Sequence, residues 1–198
     1  MSGRLNKYRA ALRMSPAAVA ACAAAVYFLD FYVLSALLFA VAAHEAGHII
    51  CLRAFKLNIS GVSVCAGGLC IDYCGFCHPL VHVLAAAAGP AAGIAYAYAC
   101  SNLGLLLHIA WLQLGAGMSL ILSLYNLLPV MPLDGGRIFA AAATAMLGEK
   151  RGGTITALVS AAVCAILFAV GLSVFAHSCG AGVLLAAICL IFASRREA

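Results

Sequence analysis

The chain has 198 residues, 66% of them hydrophobic and only 9% charged, with a mean hydropathy of +1.12. A soluble domain is about 45–50% apolar and about 25% charged, so a soluble fold is excluded and a single membrane-embedded domain spanning residues 1–198 is predicted. The net charge of +5 sits in short clusters at the ends of apolar runs, without aromatic interleaving or a soluble platform, which excludes nucleic acid and leaves the lipid bilayer as the partner.

At about 20 residues per crossing, the apolar runs leave room for about six helices. Arg4, Lys7, Arg9 and Arg13 precede the first run, Pro16 to Leu29, where Pro16 suits a first helical turn. A basic stretch before an apolar one resembles a signal peptide. Asp30 and a second long run follow without a processing boundary, so the segment is read as a retained helix. Phe31 to about Phe55 is the second span. Lys56 to Tyr73 then alternates apolar and polar residues around Gly67–Gly68, the pattern of a β-hairpin with a Gly-Gly turn. Exposed strands in lipid would leave backbone groups unsatisfied, so this element belongs at the cytosolic interface or along a cavity.

Pro79 to Cys100 is the third predicted span, with the small-residue pattern Gly89-Pro90-Ala91-Ala92-Gly93 read as plain helix packing. The fourth begins near His108 and runs to Leu128. The stretch NLLPVMPLDGGR, residues 126 to 137, interrupts it with two prolines and two glycines, and Ile138 to Leu147 resumes the helix. Such a break is tolerated at membrane depth only where protein or water surrounds it. Thr154 to Ala176 and Gly180 to Ala193 are spans five and six. Lys and Arg clusters recur after every second span, at Arg53 and Lys56, at Lys150 and Arg151, and at Arg195 and Arg196. The positive-inside rule then places both termini in the cytosol. The fold class is therefore an all-α polytopic membrane protein with a small β-hairpin or re-entrant element between helices 2 and 3.

One segment of the second span is chemically out of place. HEAGH, residues 44 to 48, puts two histidines and a glutamate into an apolar helix, where ionisable groups are rare and functional. Four residues apart, His44 and His48 differ by about 40° around a helix and about 6 Å along it, so both imidazoles share one face. Glu45 lies beside them. This is the H-E-x-x-H pattern, read mechanically as two zinc ligands and a general base. A catalytic zinc usually takes a third protein ligand. Asp134 is the candidate, as the only carboxylate between Asp72 and Glu149, lying in the broken helix. The competing reading is an N-cap for a helix starting at Gly135.

HEAGH, a hairpin, AGP and then NLLPVMPLDGGR, in that order over residues 31–147, resemble the site-2 protease family of intramembrane zinc metalloproteases. The short six-span form is similar to stage IV sporulation protein FB, and no stretch through Ala198 reads as that branch's CBS domain or as a PDZ insertion. Gly93 stands where the family's G-P-x-x-N motif often has Asn. The resemblance implies one catalytic zinc ion held by His44, His48 and Asp134, with Glu45 as general base and Asn126 as a group that steadies the substrate or the oxyanion. It also implies a bacterial cell membrane, a transmembrane or membrane-associated protein substrate cut near the cytosolic side, and room for a regulatory membrane partner. A substrate helix must unwind before attack. The hairpin, through Ile59, Val62, Val64, Gly67 and Gly68, has the character of a strand edge that could hold the unwound segment. A simple re-entrant loop is the alternative.

Two other functional classes stay open on sequence. One is a catalytically silent metal-binding module or zinc carrier. The other is a haem or redox protein using the C-x-x-C-H stretch Cys74 to His78. The remaining cysteines, including Cys100, Cys164 and Cys189, are read as small apolar packing residues.

Overall fold

The computed structural model describes residues 13–14, 23, 25–65, 68–74, 79–178 and 182–194. Most of the expected first span lies outside these residues, as do Gly67 and the stretch from Gly75 to His78. The elements in order are β1 (Arg13–Met14), α1 (Phe31–Ala54), β2 (Asn58–Cys65), β3 (Gly68–Cys74), α2 (Pro79–Leu107), α3 (Ala110–Asn126), α4 (Asp134–Leu147), α5 (Glu149–Ser178) and α6 (Gly182–Ser194).

Among the described residues, three helices are long and apolar enough to cross a membrane: Phe31–Ala54, Leu80–Leu107 and Glu149–His177. The shortest of them rises about 36 Å, against a hydrocarbon core of about 30 Å. The helices α3 and α4 are too short to cross alone because the break at residues 127–133 divides that stretch. Large apolar side chains face outward, with Phe31 84% and Met146 83% exposed, while Ala36 and Ala40 are fully buried. Small residues inside and large ones outside is the arrangement expected when the surroundings are lipid.

Helix α2 runs through Leu107 instead of ending at Cys100. The reason is local. Asn102 Nδ2 donates to the Tyr98 carbonyl at 2.8 Å, so the polar pair at 101–102 continues the helix. The chain turns instead at His108, which adopts a positive φ of 54°. Helix α4 begins at Asp134, earlier than the Ile138 expected, because Gly135 and Gly136 are helical and lie against the backbone of the break. A Cβ on Gly136 would stand 2.6 Å from the Met131 nitrogen.

Helices α1, α2 and α3 pack on one another, α4 contacts α2, and α5 lies against both α4 and α6. Contact between α1 and α2 is close at Gly47, where a Cβ would come within 2.6 Å of Ala92 Cβ. Trp111 ties α3 to α1, donating its indole N–H to Ser35 Oγ at 3.0 Å and meeting Phe39 edge-on. On the far side Val130, Leu133, Cys164 and Leu190 form a buried cluster that fixes the break against α5 and α6.

The strands β2 and β3 pair antiparallel, from Asn58 opposite Cys74 to Cys65 opposite Gly68, with an irregularity between Ile59 and Gly61. The strand order is β1-β2-β3, and β1 pairs parallel with β2 at Ser63 and Val64. Val64 is therefore opposite Met14, and the outer side of this sheet next to β3 carries no strand among the described residues.

Candidate metal centre

Helix periodicity sets the first half of the centre. His44 and His48 lie on one face of α1, their ring centroids 4.9 Å apart and their planes at 74°. His44 is buried, 4% exposed. The ring of His48 fits because α2 passes it at Gly89; a Cβ there would collide with the imidazole. His48 Nδ1 donates to the Ala85 carbonyl at 2.7 Å, which turns Nε2 toward the site. Gly89 therefore shapes the centre, where the sequence suggested packing alone. Gly93 faces Ser119 and Ser123 of α3 instead, and Ser119 Oγ donates to its carbonyl at 2.8 Å.

The second half comes from the break. Asp134 is the first residue of α4, whose N-cap is Leu133, without a side-chain capping bond. The capping role weighed for Asp134 is thus not the one it takes. Its carboxylate points at the histidines, with Oδ2 lying 3.2 Å from His44 Nε2 and 3.3 Å from His48 Nε2. The two Nε2 atoms are themselves 3.2 Å apart. The carboxylate is also held close to a helix N-terminus, which favours negative charge.

This triangle fits a metal ion. With its Nδ1 proton given to Ala85, neutral His48 offers a lone pair at Nε2. His44 Nε2 offers a lone pair as well when its proton sits on Nδ1, which is buried without a hydrogen-bond partner among the described residues; three lone-pair-bearing atoms then converge, an arrangement that a cation relieves. Tetrahedral zinc with N and O ligands at about 2.0–2.1 Å has ligand–ligand edges of roughly 3.3 Å, close to the three distances observed. Among the described residues, His44, His48 and Asp134 form the group of His, Cys, Asp and Glu side chains that could hold an ion.

A cavity of about 250 Å³ adjoins the triangle. His44 and Glu45 of α1, Tyr125 and Asn126 of α3 and Cys189 of α6 all line it. Glu45, half-buried, and Asn126 therefore face the same space. Asn126 Nδ2 donates to the Leu122 carbonyl at 3.0 Å; an amide carries two N–H donors, so one remains. Cys189, expected to be packing, is exposed and lines this cavity, whereas Cys100 and Cys164 are buried as read.

The break is also braced from α5, which the sequence reading passed over. Ser160, 3% exposed, accepts from the Met131 N–H at 3.3 Å and donates to the Pro129 carbonyl at 3.4 Å. A buried hydroxyl in an apolar helix was the available signal.

Residues 101–170 match the model of peptidase family M50. That stretch contains Asn126 and Asp134. Two proteins from strains of Mycobacterium tuberculosis that carry the name zinc metalloprotease Rip3 are 32% identical over 179 residues, covering 81% of this chain and 44% of their own. The fold matches the site-2 protease from Methanocaldococcus jannaschii with a TM-score of 0.70 over 91% of this chain and 85% of that one, at 19% identity. These matches agree on one family, the site-2 proteases of peptidase family M50. The chain is an integral membrane protein with the helical fold of the Methanocaldococcus structure. It spans less than half the length of the Rip3 proteins it matches.

Proposed function

We propose that this chain is an intramembrane zinc metalloendopeptidase acting on membrane-embedded or membrane-associated proteins near the cytosolic side, in regulated intramembrane proteolysis. The observation that carries this reading is the triangle of His44, His48 and Asp134 beside a cavity lined by Glu45. Those three residues would hold the zinc. When bound, the ion supplies Lewis-acid polarisation of the scissile carbonyl and activation of water. Glu45 accepts the proton of the attacking water and delivers it to the leaving amine. Asn126 offers its free N–H to the carbonyl oxygen as negative charge develops there.

Glu45 stands eight residues before Arg53, about 12 Å along α1. The centre thus lies within the bilayer but toward the side where Arg53 and Lys56 sit, which the positive-inside rule makes cytosolic. Six spans with cytosolic termini complete this topology. An unwound substrate segment adds to the sheet at the β3 side, next to Gly68. Ile59, Val62 and Val64 belong to the neighbouring strand β2, and Gly67, read as part of the same element, lies outside the described residues.

The test is co-expression with single-span substrates, comparing the native chain with Glu45→Gln. Cleavage should disappear in the variant while zinc stays bound in both. Equal cleavage by the two chains would overturn the assignment, and zinc without cleavage in either would favour the silent metal-binding module.

A further inference from the structure

The lining of the cavity beside the triangle is of two kinds. His44, Glu45 and Asn126 are the groups assigned to chemistry. Helix α6 adds Cys189, Leu190 and Ala193, a stripe with helical spacing, although α6 provides none of the residues that hold the metal. Apart from the groups assigned to chemistry the lining is mostly aliphatic, from Val41, Leu122, Leu133 and Leu190, which suits an apolar side chain of the substrate beside the metal triangle.

We propose that this cavity is the subsite for one aliphatic substrate side chain flanking the scissile bond, and that Ala193 and Cys189 of α6 set its size limit. The inference rests on the protease reading and names its substrate preference. The small side chains at 189 and 193 leave room that larger residues would fill. The apolar lining from Val41, Leu122, Leu133 and Leu190 favours an aliphatic group. An acidic side chain would face the carboxylate of Glu45.

The full chain, in detergent, would be given single-span substrates with Leu, Ala, Trp or Asp at the residues flanking the cleaved bond. Leu is expected to be cleaved fastest. Trp and Asp should be slower by about ten-fold or more, since misfits in apolar pockets are worth about 10- to 200-fold. Ala193→Leu should shift the preference from Leu to Ala, and Ala193→Gly should relax the exclusion of Trp. A second arm needs no turnover. In Glu45→Gln, alkylation of Cys189 by a maleimide, followed by mass spectrometry, should be slowed several-fold by a Leu-bearing peptide and not by its Trp analogue. A side-chain ranking unmoved by both Ala193 variants at intact zinc content overturns the subsite, as does Cys189 alkylation indifferent to every peptide. Selective protection of Cys189 without cleavage by the native chain would show an aliphatic side-chain pocket at α6 but overturn the protease reading, and with it the pocket's place beside a scissile bond.

Discussion

The two sides of the metal triangle are built in different ways. On α1, one helical repeat aligns His44 with His48, and a close neighbour, Gly89 of α2, makes room for the second ring. The order there is local and short-range. Asp134 arrives from ninety residues away, at the end of an irregular stretch that Ser160 and the Val130–Leu133–Cys164–Leu190 cluster hold in place. A helix face tolerates small shifts in its neighbours because its own hydrogen bonds fix it. A loop at membrane depth has only its tertiary contacts to set where its last residue points. The α1 side should therefore fail only when a ligand or its pocket is changed directly, and the Asp134 side should also fail through distant braces.

The largest effects test the ligands equally on both sides. His44→Ala and Asp134→Ala should each abolish zinc binding and proteolysis together, measured by metal analysis and substrate cleavage. Glu45→Gln comes next, with loss of about 10²- to 10⁴-fold in rate for a general base and zinc content unchanged. Gly89→Ala sharpens the comparison, because its new methyl group collides with His48 on the well-ordered side. Zinc affinity should fall about 10- to 100-fold, the range for groups that orient a ligand, as read by competition with a chelator. Ser160→Ala probes the other side from a distance. It removes two long hydrogen bonds, and with a typical bond worth about 1 kcal/mol zinc affinity should drop about five-fold, with Ser160→Thr restoring it. If Ser160→Ala left affinity untouched, the break would owe its position to the apolar cluster alone.

What could be read from the sequence follows the same division. The H-E-x-x-H spacing carries its own geometry, since any helix of that sequence brings His44 and His48 to one face. The composition alone required a membrane setting, because so few charged residues cannot cover a soluble surface. Asp134 was legible as a lone carboxylate in an apolar chain, but its choice between capping a helix and facing the histidines depended on where α4 begins. That start is fixed by Gly135 and Gly136 closing on the backbone of residues 127–131, a contact between segments that no local pattern displays. The extension of α2 to Leu107 escaped for a related reason, because Asn102 finds its partner one turn back at Tyr98. Gly89, Ser160 and Cys189 stayed hidden because each acts across helices. Their roles come from what faces them and not from their own neighbours in the chain.

The central claim is one zinc ion shared by two imidazoles of α1 and a carboxylate of α4. X-ray absorption at the zinc edge of the purified chain, alongside metal analysis of Asp134→Ala, tests it most directly. The expected result is one zinc per chain with nitrogen and oxygen neighbours near 2.0–2.1 Å and no sulfur near 2.3 Å, lost in the variant. Zinc bound through sulfur, or retained unchanged after Asp134→Ala, would contradict it.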